Sequence, residues 1–290
     1  MKKEFDFLGK RKIAFFLSGG LIIIGVISLI LKGGPNYGID FSGGALIHLK
    51  FSEEIKVSDL SMLRSVLRDI KDLQIQRSAE LGKEKTEIYI RFKAEKEEDL
   101  KHVKDLIIKR FRRFTDSSEE WVGPSIGKEL KRLALLAILF ALGGMILYIS
   151  WRFKFNFAVA AVAALIHDVL IAVGILSLID KELSIPIIAS LLTIIGYSLN
   201  DTIVVFDRIR ENLRLLGRKM NYLQILNTSI NQTLNRTIIT SLTTLFAVLA
   251  LYIFGGGAIH DFSFVLLIGV FVGTYSSIFV ATPILFAWKR

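Results

Sequence analysis

Residues 155–179 of the chain read FNFAVAAVAALIHDVLIAVGILSLI, a run in which only Asn156, His167, Asp168 and Ser177 are polar. A helix of about 17–25 predominantly apolar residues is long enough to cross the hydrocarbon core of a bilayer. Five other apolar stretches have comparable lengths, namely residues 13–31, 133–149, 185–206, 238–254 and 262–288. The sequence therefore predicts an α-helical polytopic membrane protein with six transmembrane helices.

The composition agrees with this class and excludes several others. Of the 290 residues, 52% are hydrophobic and none is cysteine, and the mean hydropathy is +0.51. Disordered chains have low hydrophobicity, collagen-like chains have glycine at every third residue, and small secreted scaffolds have dense cysteine. Without cysteine, thiol catalysis and cysteine-ligated metal centres are also excluded. We expect no metal and no organic cofactor.

The positive charge of the chain is concentrated on one side of the predicted spans. Cytoplasmic loops retain Lys and Arg, whereas translocated loops do not. One side carries fifteen Lys and Arg residues, whereas the two short loops on the opposite side contain only Lys181. The fifteen are Lys2, Lys3, Lys10, Arg11, Lys12, Arg152, Lys154, Arg208, Arg210, Arg214, Arg218, Lys219, Arg236, Lys289 and Arg290. We therefore expect the tail of residues 1–12 and the C-terminus in the cytoplasm. Because the net charge of +10 has this topological cause, nucleic acid is not an expected partner.

Residues 32–132 have the composition of a small exported domain, with 21 basic and 18 acidic residues. Alternating apolar residues predict strands at 45–51, 73–76 and 86–92, and helical spacing predicts helices at 58–69 and 97–111. With a short last strand near Trp121, this order predicts an α+β domain of the ferredoxin-like kind. His48 and His102 have no potential ligand at metal-binding spacing. We interpret the domain as a binding or force-bearing element.

The remaining residues, 133–290, are predicted to form a five-helix membrane bundle. Residues 207–236, between the fourth and fifth spans, form a cytoplasmic amphipathic segment in this interpretation. Within it, residues 223–234 carry apolar side chains at helical spacing and predict a helix lying on the inner membrane face. Membrane lipid is therefore an expected contact of this segment.

Few ionisable residues lie inside the predicted spans. His167 and Asp168 lie at the middle of the third span, Asp201 follows Asn200 in the fourth, and Arg236 begins the fifth. A charge at the centre of a membrane helix costs about 2.5–3.5 kcal/mol on insertion scales, so such residues are functional candidates. A carboxyl group that gains and loses contact with an arginine can take up and release a proton. Asp201 with Arg236 is thus a candidate proton relay.

Helical spacing predicts one polar or small-residue face on each of four spans. For Asp168 two hypotheses stand side by side: the His–Asp pair either holds helices together or transfers protons. The four faces are Ala160, Ala164, Asp168 and Ala172; Ser190, Thr193, Tyr197 and Asp201; Arg236, Thr240, Thr243 or Thr244, and Ala247; and Gly269, Gly273 and Ser277. Such faces are typical of a bundle with an inner hydrophilic path.

Two intramembrane aspartates also permit an intramembrane aspartyl protease as a minor alternative. That chemistry usually comes with a Gly-x-Gly-Asp stretch, which residues 197–201 lack. A stand-alone proton-coupled transporter of small molecules is a further alternative, and with six spans it would need a second half.

Two glycine-bearing stretches flank the exported domain. Residues 37–44 read YGIDFSGG after the first span, and residues 122–127 read VGPSIG before the second. A phosphate-binding loop needs a strand before it and a helix N-terminus after it, whereas a membrane helix precedes residues 37–44 and a strand follows them. The simpler interpretation is a tight join between the domain and the membrane helices.

These stretches, with HD at residues 167–168, GYSLNDTIVVFDR at 196–208 and NRT at 235–237, resemble the SecF family. SecF proteins are the smaller membrane subunits of the bacterial SecD–SecF protein-export complex, related to the proton-driven resistance–nodulation–division permeases. Phe41 and the short exported loop favour SecF over SecD or a fused chain. The resemblance runs from end to end and includes the junction residues Gly38, Asp40, Phe41, Gly43, Gly44, Gly123 and Pro124.

The resemblance implies an accessory subunit, not an enzyme, in the bacterial cytoplasmic membrane. It would work with a SecD-like subunit and the SecYEG channel, and use the proton motive force to help a translocating preprotein complete its passage. Protons would be the coupling ion. Asp201 and Arg236 match the family's proton-path positions, and Asp168, Asn200 and His167 lie on motif positions whose roles the resemblance does not fix.

Overall fold

The computed structural model describes residues 5–51, 55–77, 87–110 and 114–288. Some residues used in the sequence analysis lie outside the described ranges. They are the basic residues Lys2, Lys3, Lys289 and Arg290, the predicted strand start Thr86 and the predicted helix end Phe111. The helices are α1 (Arg11–Leu31), α2 (Ile39–Ser42), α3 (Val57–Val66), α4 (Glu97–Arg110), α5 (Pro124–Arg152), α6 (Phe155–Leu178), α7 (Ile185–Leu216), α8 (Tyr222–Phe254), α9 (Gly257–Ser276) and α10 (Thr282–Trp288). The strands are β1 (Gly44–Phe51), β2 (Gln74–Arg77), β3 (Glu87–Phe92) and β4 (Phe114–Val122).

Six helical segments of the described chain are long and apolar enough to cross a membrane, which confirms the predicted fold class. They are Leu8–Leu31, Pro124–Arg152, Phe155–Leu178, Ile185–Leu216, Tyr222–Phe254 and Gly257–Trp288. Several run beyond the apolar stretches read from the sequence. Helix α7, for example, continues past Phe206 to Leu216, because Arg208, Arg210 and Glu211 are good helix formers and no glycine or proline intervenes.

The segment after α7 differs from the prediction. Residues 223–234 do not form a separate helix on the membrane surface, because they belong to α8, one continuous helix. Asn221 and Gln224 cap its start reciprocally, and no glycine or proline breaks it before Phe254. The apolar side chains of Leu226 and Ile230 are buried in the protein core. The amphipathic face that suggested lipid contact is therefore covered by protein.

Contacts divide the chain into two compact units. One, the membrane unit, contains the chain up to Asn36 and from Leu136 onward; the other, the sheet unit, is Tyr37–Leu135. The core of the membrane unit includes an aromatic cluster, in which the Phe206 ring meets Phe157 at 5.0 Å and Phe153 at 6.2 Å between centroids, both edge-on. Edge-to-face packing of this kind adds stability beyond the apolar area that it buries.

Helices α1 and α6 touch backbone to backbone. A Cβ built on Gly25 would lie 2.7 Å from Cα of Gly174, and one on Gly174 would lie 3.0 Å from Cα of Gly25. One turn further along, the hydroxyls of Ser28 and Ser177 hydrogen-bond at 2.8 Å. Small residues at a membrane-helix interface permit such close approach and bring polar side chains within reach of each other.

The segment before α1 is held against α8 by two asparagine side chains. Asn227 Oδ1 accepts from the backbone N–H groups of Phe7 and Leu8, at 3.0 and 3.3 Å. Asn231 both accepts from the N–H of Phe5 and donates to its carbonyl, each at 2.9 Å. With Leu8 fully buried, these bonds fix the start of the first span to the fifth.

The sheet unit has the predicted β-α-β-β-α-β order. Its strands are antiparallel in the order β2-β3-β1-β4, in which Ile47 of β1 lies opposite Ile90 of β3. This is the arrangement of a split βαβ fold. The core lies between one sheet face and the two long helices, and Leu63 of α3 and Ile107 of α4 belong to it. Strand β4 is longer than the short strand predicted near Trp121.

Candidate functional site

Asp201 is buried inside the membrane unit, where α7 faces α8 and α9. Only 1% of the residue is exposed. Ser241 of α8 and Thr274 of α9 hydrogen-bond to each other at 2.7 Å, and both hydroxyls interact with the Asp201 carboxyl. Oδ2 of this carboxyl has no hydrogen-bond partner among the described residues. The carboxyl thus has one free oxygen and two rotatable hydroxyl neighbours, which suits a group that gains and loses a proton.

Further buried hydroxyls lie within one helical turn of Asp201 or Ser241. The hydroxyls of Tyr197, Thr202 and Thr237 have no hydrogen-bond partner in the described chain. Buried polar groups are nearly always hydrogen-bonded, either to protein or to ordered water. These three hydroxyls therefore add unpaired polar groups to the buried parts of α7 and α8 near Asp201.

Arg236 lies near the middle of α8, and its guanidinium acts on Asp201 through charge. The side chain is exposed and lines a cavity of about 800 Å³ at the arginine-rich end of α7. Val204, one turn along α7 from Asp201, lines the same cavity. The cavity therefore lies near Asp201, and Arg236 belongs to its lining.

Asp168, like Asp201, is buried. Unlike Asp201, it has hydrogen-bond partners on both carboxyl oxygens. Ser198 of α7 and Ser276 of α9 donate to its Oδ2 at 2.5 and 2.8 Å, and Nδ1 of the neighbouring His167 lies 2.8 Å from its Oδ1. One carboxyl group of α6 thus joins two other membrane helices. A carboxyl group with both oxygens hydrogen-bonded in this way links the three helices.

The network extends from His167 to the first span. The imidazole of His167 stacks on the ring of Tyr275, with centroids 6.2 Å apart. The hydroxyl of Tyr275 donates to the carbonyl of Ala14 at 2.9 Å and lies 3.0 Å from the hydroxyl of Ser18. Nε2 of His167 has no partner among the described residues. Four helices, α1, α6, α7 and α9, therefore meet around this pair.

The predicted helix faces are confirmed on two spans and wrong in part on the other two. Ala160, Ala164, Asp168 and Ala172 are all fully buried, and Gly269 and Gly273 lie directly against Ile194 and Ser198 of α7. Thr193 of α7 is exposed, and so are Thr243 and Ala247 of α8, whereas Thr244, the alternative to Thr243, is half-buried. Thr193 and Thr243 donate to carbonyls of their own helices. Hydroxyl side chains satisfy themselves in this way within a helix, so their spacing alone does not define an inner face.

Asn200, unlike its neighbour Asp201, is exposed on the outer surface of α7. Successive helical residues point about 100° apart, and here this turn places Asn200 on the exposed side of α7 while Asp201 is buried. The proposed place of Asn200 in the proton path stays a prediction.

The motif residues at the start of the sheet unit form a tight backbone joint. Gly38 precedes the short helix α2, which contains Asp40 and the buried Phe41. Gly43 and Gly44 then adopt φ angles of 72° and 132°, which favour glycine. A Cβ on Gly43 would lie 3.1 Å from Cα of Pro124, the first residue of α5.

Gly44 and Gly123 complete this joint. A Cβ on Gly44 would lie 2.8 Å from the carbonyl oxygen of Phe92, whereas one on Gly123 would meet only the Trp121 ring at 3.4 Å. Gly43 and Gly44 thus have a steric role within the sheet unit. The predicted join between the domain and the membrane helices stays a prediction.

Within the described chain no group of three His, Asp or Glu residues is placed to hold a metal ion. Among the predicted site residues, the structure brings together Asp201 with Arg236 and Asp168 with His167.

Comparison with protein families decides what kind of protein carries these sites. Residues 102–290 match the family described as protein export membrane protein SecD/SecF, C-terminal, and residues 28–55 match the SecD/SecF GG motif. The chain belongs to the SecD/SecF family. The GG-motif match contains Gly43 and Gly44, and the longer match contains every ionisable residue of the two buried clusters.

Individual relatives of this family agree over nearly the whole chain. The protein translocase subunit SecF of Calditerrivibrio nitroreducens is 45% identical and is covered over 94% of its length by 98% of this chain. The protein translocase subunit SecDF of Thermus thermophilus is 39% identical, over 99% of this chain and 39% of that protein. The crystal structure of SecDF, a translocon-associated membrane protein, from the same organism superposes with a TM-score of 0.88, over 99% of this chain and 39% of that one.

The SecD/SecF chain is therefore a multi-pass bacterial membrane protein of the SecF type. It is a component of protein translocation and not an enzyme, which removes the support for an intramembrane protease. The SecDF relatives imply a SecD partner.

Sequence reasoning did not identify the hydroxyl partners of the two aspartates. Ser198, Ser276, Ser241 and Thr274 carry the contacts, yet serine and threonine are common in membrane helices and give no signal by themselves. One clue was available, because Ser198 lies inside the motif of residues 196–208 and one turn before Asp201.

Proposed function

We propose that this SecF-type chain, together with its SecD partner, couples proton entry to a late step of preprotein export through the SecYEG channel. Asp201 binds the proton, and Arg236 is its counter-charge. The observation that carries this proposal is the Asp201 carboxyl, which is buried among membrane helices with one oxygen free of any described hydrogen bond.

The physical basis is the difference between the two protonation states of Asp201. An ionised carboxyl in the bilayer interior is costly unless a positive charge or hydrogen-bond donors accompany it. Arg236 and the hydroxyls of Ser241 and Thr274 supply these partners from α8 and α9. A proton on Asp201 removes the need for Arg236, so protonation favours a different placement of α8 against α7. A repeated cycle of this kind converts a proton gradient into motion.

For Asp168 and His167 we propose a positioning role in the same cycle. Asp168 accepts hydrogen bonds from α7 and α9 and contacts His167 on its own helix, so the pair holds those two helices in register around Asp201. Proton transfer through this pair is the competing hypothesis.

The proposed orientation follows from the distribution of basic residues. Residues 1–12, the α7–α8 connection and the C-terminus lie in the cytoplasm, and residues 32–132 lie outside as an exported domain. In this placement the exported domain is the part that moves against or contacts an emerging preprotein. The arginine-rich cavity beside Arg236 opens toward the cytoplasm.

The test compares export in cells depleted of the native protein and supplied with wild type, Asp201→Asn or Asp201→Glu at matched membrane levels. Maturation of a secreted precursor is followed with and without the proton gradient. Asparagine keeps the size of the side chain and removes its titration. We expect Asp201→Asn to slow maturation to the rate of depleted cells and to abolish the benefit of the gradient, while Asp201→Glu retains part of both.

Asp180→Asn is the matched control, since it makes the same chemical change at an exposed site whose side chain pairs with Lys32. Export at the normal rate is expected for it. Copurification of the SecD partner with every variant shows that assembly is intact. Normal gradient-dependent export by Asp201→Asn would overturn the proposal and leave Asp201 as a structural residue.

A further inference from the structure

The cavity beside Arg236 is a second candidate site, distinct from the buried carboxyl. It measures about 800 Å³ and lies between the C-terminal ends of α5 and α7 and the middle of α8. Its lining is rich in arginine, and the remaining side chains are two acids and a few polar or apolar residues. The lining residues are Arg152, Val204, Asp207, Arg208, Arg210, Glu211, Arg214, Leu215, Gln232, Thr233 and Arg236.

Both acids of the cavity are already occupied by arginine. Asp207 is shared by Arg152 and Arg210, each at 3.0 Å. Glu211 accepts from Arg208 at 2.7 Å, and Arg208 also donates to Gln232 at 2.6 Å. With five guanidinium groups and two carboxylates, the lining has an excess of three positive charges.

Two of the arginines, Arg214 and Arg236, account for two of these three charges. In the part of the chain that the structure describes, the guanidinium groups of Arg214 and Arg236 form no ion pair with a carboxylate and no side-chain hydrogen bond, and both side chains are exposed. Arg236 interacts with Asp201 through charge alone. A cavity of this size, lined by guanidinium groups without a carboxylate partner, has the charge and the space to bind an anion.

We propose that this cavity binds a phosphate group, and that an anionic phospholipid of the cytoplasmic leaflet is its source. Guanidinium groups bind phosphate oxygens in a bidentate geometry that an ammonium group cannot match. Basic pockets between membrane helices on the cytoplasmic side are the sites where anionic head groups bind. Val204 and Leu215 add an apolar wall, and Leu215 is 65% exposed, so the acyl end of a lipid has a surface to contact.

The proposal has a consequence for Asp201 that rests on the proposed function. A phosphate held by Arg214 and Arg236 shares the Arg236 charge that Asp201 otherwise has to itself. The anion therefore changes the balance between the two placements of α8, and the lipid composition of the membrane becomes a regulator of proton coupling.

The test measures lipid retention by the purified full chain in complex with its SecD partner. Native mass spectrometry in detergent compares added phosphatidylglycerol, phosphatidylcholine and inorganic phosphate. The variant Arg214→Gln removes one guanidinium group from the cavity and leaves Arg236 in place. The matched control is Arg218→Gln, because Arg218 is an exposed arginine just past the end of α7 that does not line the cavity. We expect phosphatidylglycerol to bind in preference to phosphatidylcholine, with Kd raised about tenfold by Arg214→Gln and unchanged by Arg218→Gln.

Each arm of the experiment decides something about the site. Competition by inorganic phosphate that depends on Arg214 supports the phosphate site, and phosphate binding without lipid binding replaces lipid by free phosphate as the source. Equal retention of phosphatidylglycerol by wild type and Arg214→Gln overturns the proposal. Binding by the chain alone but not by the complex also overturns it, because the partner then fills the cavity. Since Arg214→Gln leaves Asp201 intact, failure here is separate from failure of the proton-coupling proposal.

Discussion

The hydroxyl of Ser198 donates to Oδ2 of Asp168 at 2.5 Å, and the two residues lie on different membrane helices, α7 and α6. Ser276 donates to the same oxygen from α9. Asp201 lies one turn beyond Ser198 on α7. The hydrogen-bonded tie at Asp168 thus holds together α7 and α9, the helices between which the proposed proton-binding carboxyl of Asp201 lies. Asp201 itself takes no part in these bonds.

Asp168→Asn tests whether this tie requires a titratable group. The amide oxygen can accept from both serines, and the amide N–H₂ can donate to Nδ1 of His167 once the imidazole proton moves to Nε2. We therefore expect Asp168→Asn to support export at close to the wild-type rate. The measurement is precursor maturation at matched membrane levels. Loss of export by a variant that is present and bound to its partner would instead assign proton transfer to Asp168.

Asp168→Ala is the companion variant. It leaves the hydroxyls of Ser198 and Ser276 without their acceptor, at a cost of about 1–3 kcal/mol for each buried group left unpaired. Ser276 retains a weaker bond to the carbonyl of Gly273. We expect a lower midpoint of thermal unfolding for the detergent-solubilised complex. An unchanged midpoint would contradict the role of Asp168 as a tie.

Gly174→Ala tests the backbone contact between α1 and α6. The new Cβ would lie 3.0 Å from Cα of Gly25, and backbone cannot move aside as a flexible side chain can. We expect a destabilisation of about 1–3 kcal/mol, typical of overpacking, measured as a fall in the thermal unfolding midpoint. Gly143→Ala on α5 is the control, because a Cβ there meets nothing within 4 Å. Equal midpoints for the two variants would show that α1 and α6 separate at little cost.

Gly44→Ala tests the joint of the sheet unit. Its φ of 132° is unfavourable for alanine, and the Cβ would lie 2.8 Å from the carbonyl oxygen of Phe92. We expect faster hydrogen exchange of the β1 and β3 amides in the full chain, since local opening of the sheet becomes easier. Gly123→Ala, where the Cβ meets only the edge of the Trp121 ring, should exchange at nearly the wild-type rate. The same protection in both variants would remove the steric explanation of the motif.

Single cysteines test the proposed orientation, and the chain has no cysteine of its own. Ser61→Cys lies on α3 of the sheet unit, and Lys219→Cys lies between α7 and α8; both positions are exposed. We expect a membrane-impermeant maleimide to label Ser61→Cys on intact spheroplasts and Lys219→Cys only after the membrane is opened. The reverse pattern would place the arginine-rich end outside and overturn the proposed topology.

The sequence indicated the membrane spans because their length and apolarity follow directly from the thickness of a bilayer. It was less informative where a helix continues past its apolar stretch, as α8 does across Asn235, Arg236 and Thr237. Polar side chains do not by themselves end a helix. A helix is interrupted where proline removes a backbone N–H donor or glycine adds flexibility. The prediction of a separate amphipathic helix at residues 223–234 was therefore wrong. The burial of Leu226 and Ile230 shows that the apolar face of this segment packs on protein.

The sequence by itself determined the membrane class, the order of elements in the sheet unit and the ionisable residues worth attention, since each depends on local spacing or on the cost of a charge in lipid. Only the tertiary structure decided that Asp168 is satisfied by Ser198 and Ser276, whereas Asp201 keeps a free oxygen. It also decided that Arg214 and Arg236 face one cavity without a carboxylate partner. Hydrogen bonds between helices depend on how distant segments pack, and residue type and spacing within one helix contain no information about which partner a neighbouring helix presents.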